Sequence, residues 1–297
     1  MKKLVWKGAG RFEMEEVKAP SAGALGPHEL LLRVKAVGLC ATDIHILNGR
    51  FPLVKPPRVL GHEIAGIVEA VGSGVRRLSP GARVTCDSVV GCGRCHFCAR
   101  GSRQFCIEGY ELGFTRDGGC QEFLVLPEEN ALPVGNHISM EEAAILDMEV
   151  YRALKKPGIR PRETVLIAGS GPAGLIAVQV ARILGAGRVL LSGNAERRLA
   201  LGLQLGADRT IDIRTENLGE VIREETHGVG VDLAMDCAGT SESFRQVLES
   251  VTPGGRVVLY GVYPDPLPNA SVLLVVLKDI TVYGSVSDRV GWSEVID

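Results

Sequence analysis

The feature that most constrains the fold is a glycine-rich turn between an apolar strand and a helix in the second half of the chain. TVLIA is followed directly by GSGPAG, which places Gly169, Gly171 and Gly174 in a G-x-G-x-x-G spacing, and LIAVQVARIL continues as a helix. Glycines at this spacing permit a tight turn, close approach of a pyrophosphate and close helix–strand packing, while the helix N-terminus attracts phosphate. The whole loop, including Pro172 and Ala173, is therefore predicted to bind a dinucleotide.

The two halves of the chain differ in their pattern of apolar, glycine and proline residues. From Thr164 onwards apolar strands alternate with helical patterns, which predicts parallel βαβ units in a doubly wound Rossmann sheet. Before about Val150 the chain consists of short β-branched runs broken by glycine and proline, typical of a β-rich, barrel-like domain. The predicted fold class is α/β, with a β-rich domain over 1–152, a Rossmann domain over 153–286, and 287–297 returning towards the first domain. The helix-like EEAAILDMEVYRALKK marks the boundary and ends at Pro157-Gly158.

Composition narrows the class of partner. The 297 residues are 45% hydrophobic, carry a formal net charge of -2, and have a pI near 6.3. No basic surplus is available for a phosphate backbone, so nucleic acid is not an expected partner and a small molecule is. The N-terminus shows no export signal, and the most apolar stretch, Ser271 to Leu277, is too short to cross a membrane and is predicted to be buried. We expect no membrane contact and a cytoplasmic location.

Four cysteines lie close together in GCGRCHFCARGSRQFC. Two consecutive C-x-x-C steps and a fourth thiol after a short loop place four thiolates around one ion, which satisfies tetrahedral zinc with no open position. An iron–sulfur cluster is the alternative, but no proline follows the last cysteine and nothing else indicates electron transfer. The spacing therefore predicts a structural zinc on Cys92, Cys95, Cys98 and Cys106.

The end of the second Rossmann strand bears on the choice of coenzyme. An Asp or Glu there accepts a hydrogen bond from the ribose 2′-hydroxyl of NAD, but RVLLS here ends in Gly193-Asn194, followed by Arg197 and Arg198. An arginine holds a 2′-phosphate that a carboxylate repels, which favours NADP. The alternative is NAD, with Asn194 or Glu196 contacting the ribose.

Several motifs in order carry a family resemblance. GLCATDIH, GHEIAGIVEAVGSGV, the four-cysteine segment and GSGPAG occur as in zinc-containing medium-chain alcohol dehydrogenases, and the polyol and threonine dehydrogenase branch looks most similar. The resemblance implies a GroES-like catalytic domain before the Rossmann domain. It also implies reversible oxidation of a secondary alcohol, such as a polyol or an amino alcohol, to a ketone, with hydride transfer to the nicotinamide of NAD or NADP.

The resemblance assigns a second zinc. Cys40 and His62 supply one soft and one borderline ligand and leave positions for a third protein group and for water or substrate. In the resembled family the residue after this histidine contacts the metal shell or exchanges onto the metal, which corresponds to Glu63. The polyol branch takes its third ligand from an EPL-like segment, and here AAILDMEV offers Asp147, with Glu149 as the rival.

Proton transfer is assigned to the GLCATDIH segment. The Thr42 hydroxyl is expected to accept the proton of the alcohol, and His45 resembles the residue that relays it to water. Asp43 resembles a group that orients a ligand imidazole. Without a catalytic role, Thr42 and Asp43 read as a capped turn and His45 as a half-buried histidine.

The sequence leaves two other functions open, and it leaves open whether the chain is a fragment or a short variant. The irregular DMEV segment suits a zinc-stabilised dinucleotide-binding sensor or structural protein with little catalysis, and a zinc-free quinone reductase is a lesser alternative. The chain ends at GWSEVID, where the resembled family continues, so a fragment or a short variant is expected. A homodimer or homotetramer is also expected.

Overall fold

The computed structural model describes residues 1–146, 148–263 and 272–286. Two compact units divide the chain at Leu146, the first being Met1–Leu146 and the second Asp147–Val286. The predicted ligand Asp147 and the predicted return segment 287–297 lie outside the described residues. Within the described ranges, no helix is long and apolar enough to span a membrane.

The first unit is built mainly from antiparallel strands. These are β1 Lys2–Gly8, β2 Arg11–Glu16, β3 Glu29–Gly38, β4 Arg58–Val59, β5 Glu63–Val71, β6 Arg83–Cys86, β7 Val89–Val90, β8 Tyr110–Glu111, β9 Phe123–Pro127 and β10 Ala131–Pro133, and the short helices are α1 Ala41–Leu47, α2 His96–Ala99 and α3 Met140–Ala144. The strands form a five-stranded sheet ordered β10-β6-β5-β3-β9, a three-stranded sheet ordered β2-β1-β4, and the pair β7-β8. The β-rich domain is as the sequence predicted.

The five-stranded sheet buries one face against its own core. Leu30 and Leu32 of β3 and Ile64 and Val68 of β5 belong to this core and are at most 1% exposed. Full burial of one such side chain stabilises the fold by about 1.5–3 kcal/mol. The pairing of β3 with β5 contains two irregularities and ends with Gly38 opposite Glu63. This end of the sheet therefore holds the last residue of the Gly61-His62-Glu63 sequence against the end of β3.

The second unit is a parallel α/β sheet. Its elements are α4 Met148–Lys155, β11 Thr164–Ala168, α5 Pro172–Ile183, β12 Arg188–Gly193, α6 Glu196–Gln204, β13 Arg209–Asp212, α7 Leu218–Glu225, β14 Val231–Asp236, α8 Ser241–Ser250, β15 Val251–Leu259, α9 Val272–Leu277 and β16 Thr281–Gly284. The strand order is β13-β12-β11-β14-β15-β16, and every pairing is parallel. This is the Rossmann order, and the predicted doubly wound sheet is confirmed.

Helices cover both faces of this sheet, as the fully apolar strands require. On β11, Val165 and Ile167 pack with helices α4, α5 and α6, whereas Leu166 and Ala168 pack with α7 and α8. Successive strand residues point to opposite faces, so a strand buried on both sides reads as a continuous apolar run. TVLIA is such a run.

Three local expectations differ from the structure. The predicted boundary helix is two helices, α3 and α4, separated by a break that coincides with the division between the units. The predicted division at 152/153 falls inside α4, because Val150, Ala153 and Leu154 are fully buried in the core of the second unit. The segment from Ser271 to Leu277, which the sequence predicts to be buried, contains helix α9, and Val276 of this helix is 71% exposed. Among the residues of α9, only Leu274 and Val275 pack against the core, since a short helix buries one side.

Candidate active site

The candidate catalytic cluster lies at one end of the β3–β5 pair. Cys40 follows β3 and precedes helix α1, and its backbone N–H donates to the Asp43 carboxylate over 3.0 Å, which fixes the first turn. His62 and Glu63 stand at the start of β5. One ligand atom from each of Cys40, His62 and Glu63 lies within 4.8 Å of the others. The structure thus brings together three residues predicted from two separate motifs.

A glycine makes room for the Glu63 side chain. A Cβ atom at Gly38 would overlap Glu63 Oε2, and it would lie 2.9 Å from Glu63 Cβ and 3.0 Å from Ile145 Cγ2. Because real Cβ contacts are never this short, any larger residue at position 38 must displace the carboxylate. The glycine two residues before the candidate ligand Cys40 is therefore required by the space that Glu63 occupies, which the sequence did not reveal.

The His62 ring is oriented by two neighbours. Its Nδ1 faces Asp43 Oδ1 at 3.6 Å, and neither atom has a hydrogen-bond partner among the described residues. The ring also makes an edge contact with Phe114, with centroids 4.9 Å apart. A carboxylate facing Nδ1 favours a proton on that nitrogen and leaves Nε2 for a metal. Asp43 is 2% exposed, which fits the predicted orienting role.

The electrostatic surroundings of His62 suit a cation. Burial lowers the pKa of His62, but the Asp43 carboxylate and the Cys40 sulfur raise it, and the net pKa lies well above the ordinary value. The net direction means that the pocket stabilises positive charge at the ring. A sulfur, an imidazole and a carboxylate in these surroundings are a donor set that fits zinc with an open coordination position.

The predicted proton-transfer residues lie on helix α1 beside this cluster. The Thr42 hydroxyl oxygen is 3.7 Å from Cys40 Sγ. His45 is three residues further along, so both side chains lie on the same side of the helix, and both are half-buried. The Thr42 hydroxyl thus lies next to the candidate ligand thiol with His45 one turn away, and the proton path through them stays a prediction.

The four predicted zinc thiols converge around α2. Ligand atoms of Cys92, Cys95, Cys98 and Cys106 all lie within 4.8 Å of one another. The Sγ atoms of Cys95 and Cys106 are 3.8 Å apart, and all four cysteines are free of disulfides. A tetrahedron with Zn–S bonds of about 2.3 Å has edges of about 3.8 Å. The spacing fits one zinc ion.

Backbone amides support negative charge on these sulfurs. The Cys92 N–H donates to Cys106 Sγ over 3.2 Å, and the Cys95 N–H points at Cys92 Sγ over 3.4 Å. A backbone hydrogen bond from Cys98 lowers the pKa of the Cys95 thiol to about 6, whereas burial raises the pKa of Cys98 to about 11. Thiolates are the form that ligates zinc, so these amides favour the metal-binding state.

The glycine loop has the predicted dinucleotide-binding form. A Cβ at Gly174 would overlap the Gly169 carbonyl oxygen, so the third glycine permits close packing of α5 on β11. Gly169 has φ +115° and lies against the backbone of Cys237 and Ala238. A Cβ at Gly171 would meet nothing within 4 Å. The open side at Gly171, at the N-terminus of α5, is where a pyrophosphate fits.

The Ser170 side chain fills the space beside Gly193, at the end of β12 where the choice of coenzyme is predicted to be made. A Cβ at Gly193 would overlap Ser170 Oγ, which is buried, so a carboxylate at position 193 does not fit without rearrangement. Asn194 and Arg198 are exposed. The register partner of Gly193 is Asp212, whose carboxylate binds the Arg214 guanidinium over 2.9 and 2.6 Å.

Sequence reasoning missed Asp212 and Arg214 altogether. The Arg214 guanidinium and backbone N–H lower the pKa of Asp212 to about 2. The Asp-x-Arg sequence that begins at the last residue of the third Rossmann strand was the available signal, since that residue is in register with the end of the second strand. Of the two rival third ligands, Glu149 lies in the first turn of α4.

A β-rich unit with two thiol-containing metal-ligand clusters and a Rossmann unit with a dinucleotide loop define a class, the zinc- and nicotinamide-dependent oxidoreductases. Comparison with known families agrees. Residues 26–136 match the model of the alcohol dehydrogenase GroES-like domain, and residues 172–297 match that of zinc-binding dehydrogenases.

Curated relatives and solved structures extend this match. The chain is 34% identical to an L-threonine 3-dehydrogenase of Pyrococcus abyssi, over 94% of this chain and 80% of that one. A zinc-binding dehydrogenase of Sinorhizobium meliloti, bound to NADP, superposes with a TM-score of 0.90 at 32% identity and covers 100% of this chain and 87% of its own. Galactitol-1-phosphate dehydrogenase of Escherichia coli gives 0.89 at 26% identity, over 98% and 85%.

The chain belongs to the zinc-containing medium-chain alcohol dehydrogenase family and is similar to its threonine dehydrogenase branch. The predicted enzyme class, zinc-dependent NAD(P)-linked alcohol oxidation, is thereby confirmed, as are the GroES-like and Rossmann domain types.

Proposed function

We propose that this dehydrogenase reversibly oxidises a small secondary alcohol to a ketone, with the catalytic zinc held by Cys40 and His62. The observation that carries the proposal is the convergence of ligand atoms from Cys40, His62 and Glu63 within 4.8 Å, with the Thr42 hydroxyl 3.7 Å from the cysteine sulfur. Asp147 is the proposed third protein ligand, and Glu63 contacts the metal shell or exchanges onto the metal.

Cys40 and His62 would hold the zinc ion, which when bound would supply Lewis-acid chemistry that makes an alcohol hydroxyl more acidic. The residues of the chain receive the hydroxyl proton. Thr42 accepts it at Oγ1, and His45, one helical turn further, passes it towards solvent. Asp43 holds the His62 ring by facing Nδ1 at 3.6 Å. The glycine loop from Gly169 to Gly174 holds the coenzyme pyrophosphate.

The substrate class follows from the family branch. The relatives named above include an L-threonine 3-dehydrogenase and a galactitol-1-phosphate dehydrogenase, whose names denote an amino alcohol and a phosphorylated polyol. Both are small, polar, secondary alcohols or contain one. We infer that this chain oxidises a polyol, an amino alcohol or a similar hydroxy compound.

We propose NADP as the preferred coenzyme. Gly193 supplies no carboxylate to repel a 2′-phosphate; the exposed Asn194 follows it directly, and the exposed Arg198 lies in the first turn of α6. Asp212 lies beside Gly193 but is held by Arg214, which offsets its charge. A solved relative carries NADP, which is consistent with this preference. NAD remains the alternative to be measured in parallel.

We propose a homodimer or homotetramer. Strand β16 ends the sheet order and presents Val282, which is 38% exposed, while the adjacent helix α9 exposes Val272 and Leu273 at 66% and 64%. An edge strand with exposed apolar side chains is a template for pairing with another chain. Analytical ultracentrifugation tests this state; a monomer at micromolar concentration contradicts it. A cytoplasmic location stays a prediction.

One experiment tests the central proposal. Zinc-replete protein is screened with a panel of secondary alcohols and both NAD and NADP, and zinc is counted by mass spectrometry. We expect about two zinc ions per chain and alcohol-dependent reduction of coenzyme. Cys40→Ser should keep one zinc and the fold but lose activity, whereas Cys98→Ser should lose the other zinc and stability. A replete protein that reduces neither coenzyme with any alcohol refutes the function.

Ligand assignment is tested separately. Asp147→Asn should lower occupancy of the catalytic zinc, and Glu149→Gln should leave it unchanged. The opposite pattern makes Glu149 the ligand. One tightly held zinc in the wild-type protein, with none at Cys40 and His62, favours a non-catalytic dinucleotide-binding role instead.

A further inference from the structure

A buried carboxylate links three segments at the coenzyme edge of the Rossmann sheet. Asp236 ends β14 and is 0% exposed. Its Oδ1 accepts hydrogen bonds from the backbone N–H groups of Ala238 and Gly239, over 2.8 and 3.2 Å. Its Oδ2 accepts from the Ser243 hydroxyl over 2.8 Å and from the Tyr263 hydroxyl. In the part of the chain that the structure describes, uncharged donors alone surround this carboxylate.

The turn that Asp236 holds packs directly on the first glycine of the coenzyme loop. A Cβ at Gly169 would lie 3.0 Å from the backbone nitrogen of Ala238 and 3.1 Å from the carbonyl carbon of Cys237. The Cys237 N–H also donates to the Ala168 carbonyl over 2.8 Å. The turn therefore packs closely on Gly169 and leaves no room for a side chain at that position.

The segment after β15 closes the other side of this turn. The Tyr260 and Gly261 N–H groups donate to the Asp236 carbonyl over 3.0 and 2.8 Å. A Cβ at Gly239 would overlap the Val262 carbonyl oxygen, so the two backbones touch. Ligands of open parallel sheets bind outside the carboxyl ends of the strands, next to the point where strand order reverses. That point lies between β11 and β14, where this turn stands.

Tyr263 is the member of this network that comes from farthest along the chain. Its ring makes an edge contact with Phe244 of α8, with centroids 6.2 Å apart, and its hydroxyl reaches Asp236 Oδ2. Burial and the charge of Asp236 raise the pKa of Tyr263 above its ordinary value. The hydroxyl therefore keeps its proton and acts as a donor at neutral pH.

We propose that Tyr263, together with Ser243, is a positioning residue for the coenzyme: its hydrogen bond to Asp236 holds the Cys237–Gly239 turn against Gly169 in the geometry that binds the dinucleotide. The inference rests on coenzyme binding at the glycine loop, as proposed above. Loss of the hydroxyl leaves Oδ2 with one donor fewer and releases one of the segments that hold the turn.

The test uses the zinc-replete full chain with Tyr263→Phe and Ser243→Ala. Each variant should raise the Kd and KM for NADP or NAD about 5- to 20-fold, because losing one hydrogen bond to a charged group corresponds to about 10- to 150-fold and only part of that loss reaches the coenzyme site. The kcat should change less than 2-fold, and zinc content should not change. Ser243→Thr, which keeps the hydroxyl, should restore Kd. Tyr283→Phe, on β16 in the same unit, is the matched control and should bind coenzyme as the wild type does.

Amide hydrogen exchange gives a readout that needs no coenzyme. Protection of Ala238 and Gly239 should fall in Tyr263→Phe and Ser243→Ala and stay unchanged in Tyr283→Phe. The double variant should be less than additive in Kd, because both hydroxyls bind one oxygen. A lowered melting temperature with wild-type Kd and wild-type protection of both amides overturns the proposal. A wild-type protein that binds neither coenzyme refutes the proposed function, while the exchange result still decides whether Tyr263 holds the turn.

Discussion

Replacing Gly38 by alanine places a methyl group where the Glu63 carboxylate now lies. The added Cβ would also stand 2.9 Å from Glu63 Cβ and 3.0 Å from Ile145 Cγ2. Overpacking of this kind typically costs about 1–3 kcal/mol. For a protein of this size, each kcal/mol lowers the melting temperature by about 2–4 °C, which gives a decrease of about 2–12 °C. Because Glu63 must also leave its place beside Cys40 and His62, affinity for the catalytic zinc should fall about 10- to 100-fold.

The assay combines thermal unfolding, zinc content after dialysis against chelators of graded strength, and kcat/KM for the alcohol. Gly66→Ala on the paired strand β5 is the matched control, since its Cβ would overlap the Arg33 carbonyl oxygen rather than a candidate ligand. It should destabilise the fold and leave zinc affinity unchanged. Gly23→Ala, whose Cβ meets nothing within 4 Å, should change neither. Wild-type zinc affinity in Gly38→Ala, or equal zinc loss in Gly66→Ala, would refute the steric role of Gly38.

Three further outcomes are expected. Thr42→Val should lower kcat by about 10²- to 10⁴-fold, and Thr42→Ser should recover most of it in steady-state kinetics, because the hydroxyl alone accepts the proton; equal rates for both variants would remove Thr42 from the path. Arg256→Ala should lower the free energy of unfolding by up to about 3 kcal/mol in urea titrations, since it removes the close partner of Glu163 from a pair with side chains only 11% and 10% exposed and leaves Glu163 with Arg160, whose guanidinium is 4.0 Å away; a loss under about 1 kcal/mol would contradict a buried pair. Arg198→Ala should lower the NADP-to-NAD ratio of kcat/KM about 10-fold or more, and an unchanged ratio would argue against the proposed 2′-phosphate contact.

The sequence predicted features that depend on residue type and spacing. The four cysteines and the strand–glycine–helix order each satisfy a local requirement, so their geometry follows from the chain itself. Cys40 and His62 were paired through the family resemblance, and the β3–β5 register explains physically why they meet.

The missed features depend on tertiary contacts. In the sequence Gly38 looks like an ordinary strand residue, and its steric role appears only when its partner Glu63 is known. Ser170 likewise looks like an ordinary loop residue, although its side chain fills the space that a side chain at position 193 would need. The Asp236–Tyr263 bond joins residues 27 apart in sequence. Hydrophobicity alone predicts that helix α9 is buried, but the burial of an apolar segment depends on which other elements cover it.

The four-cysteine cluster has a consequence for the protein in the cell. Helix α2 contains no buried residue, and backbone amides beside it donate hydrogen bonds to the cysteine sulfurs. A metal that binds only the folded state stabilises it in proportion to the logarithm of free metal concentration. Zinc starvation or oxidation of these thiols would therefore loosen the cluster while the Rossmann unit, with its own core, stays folded. Loss of zinc would then disorder the four-cysteine segment of the first unit, while the second unit would still bind coenzyme.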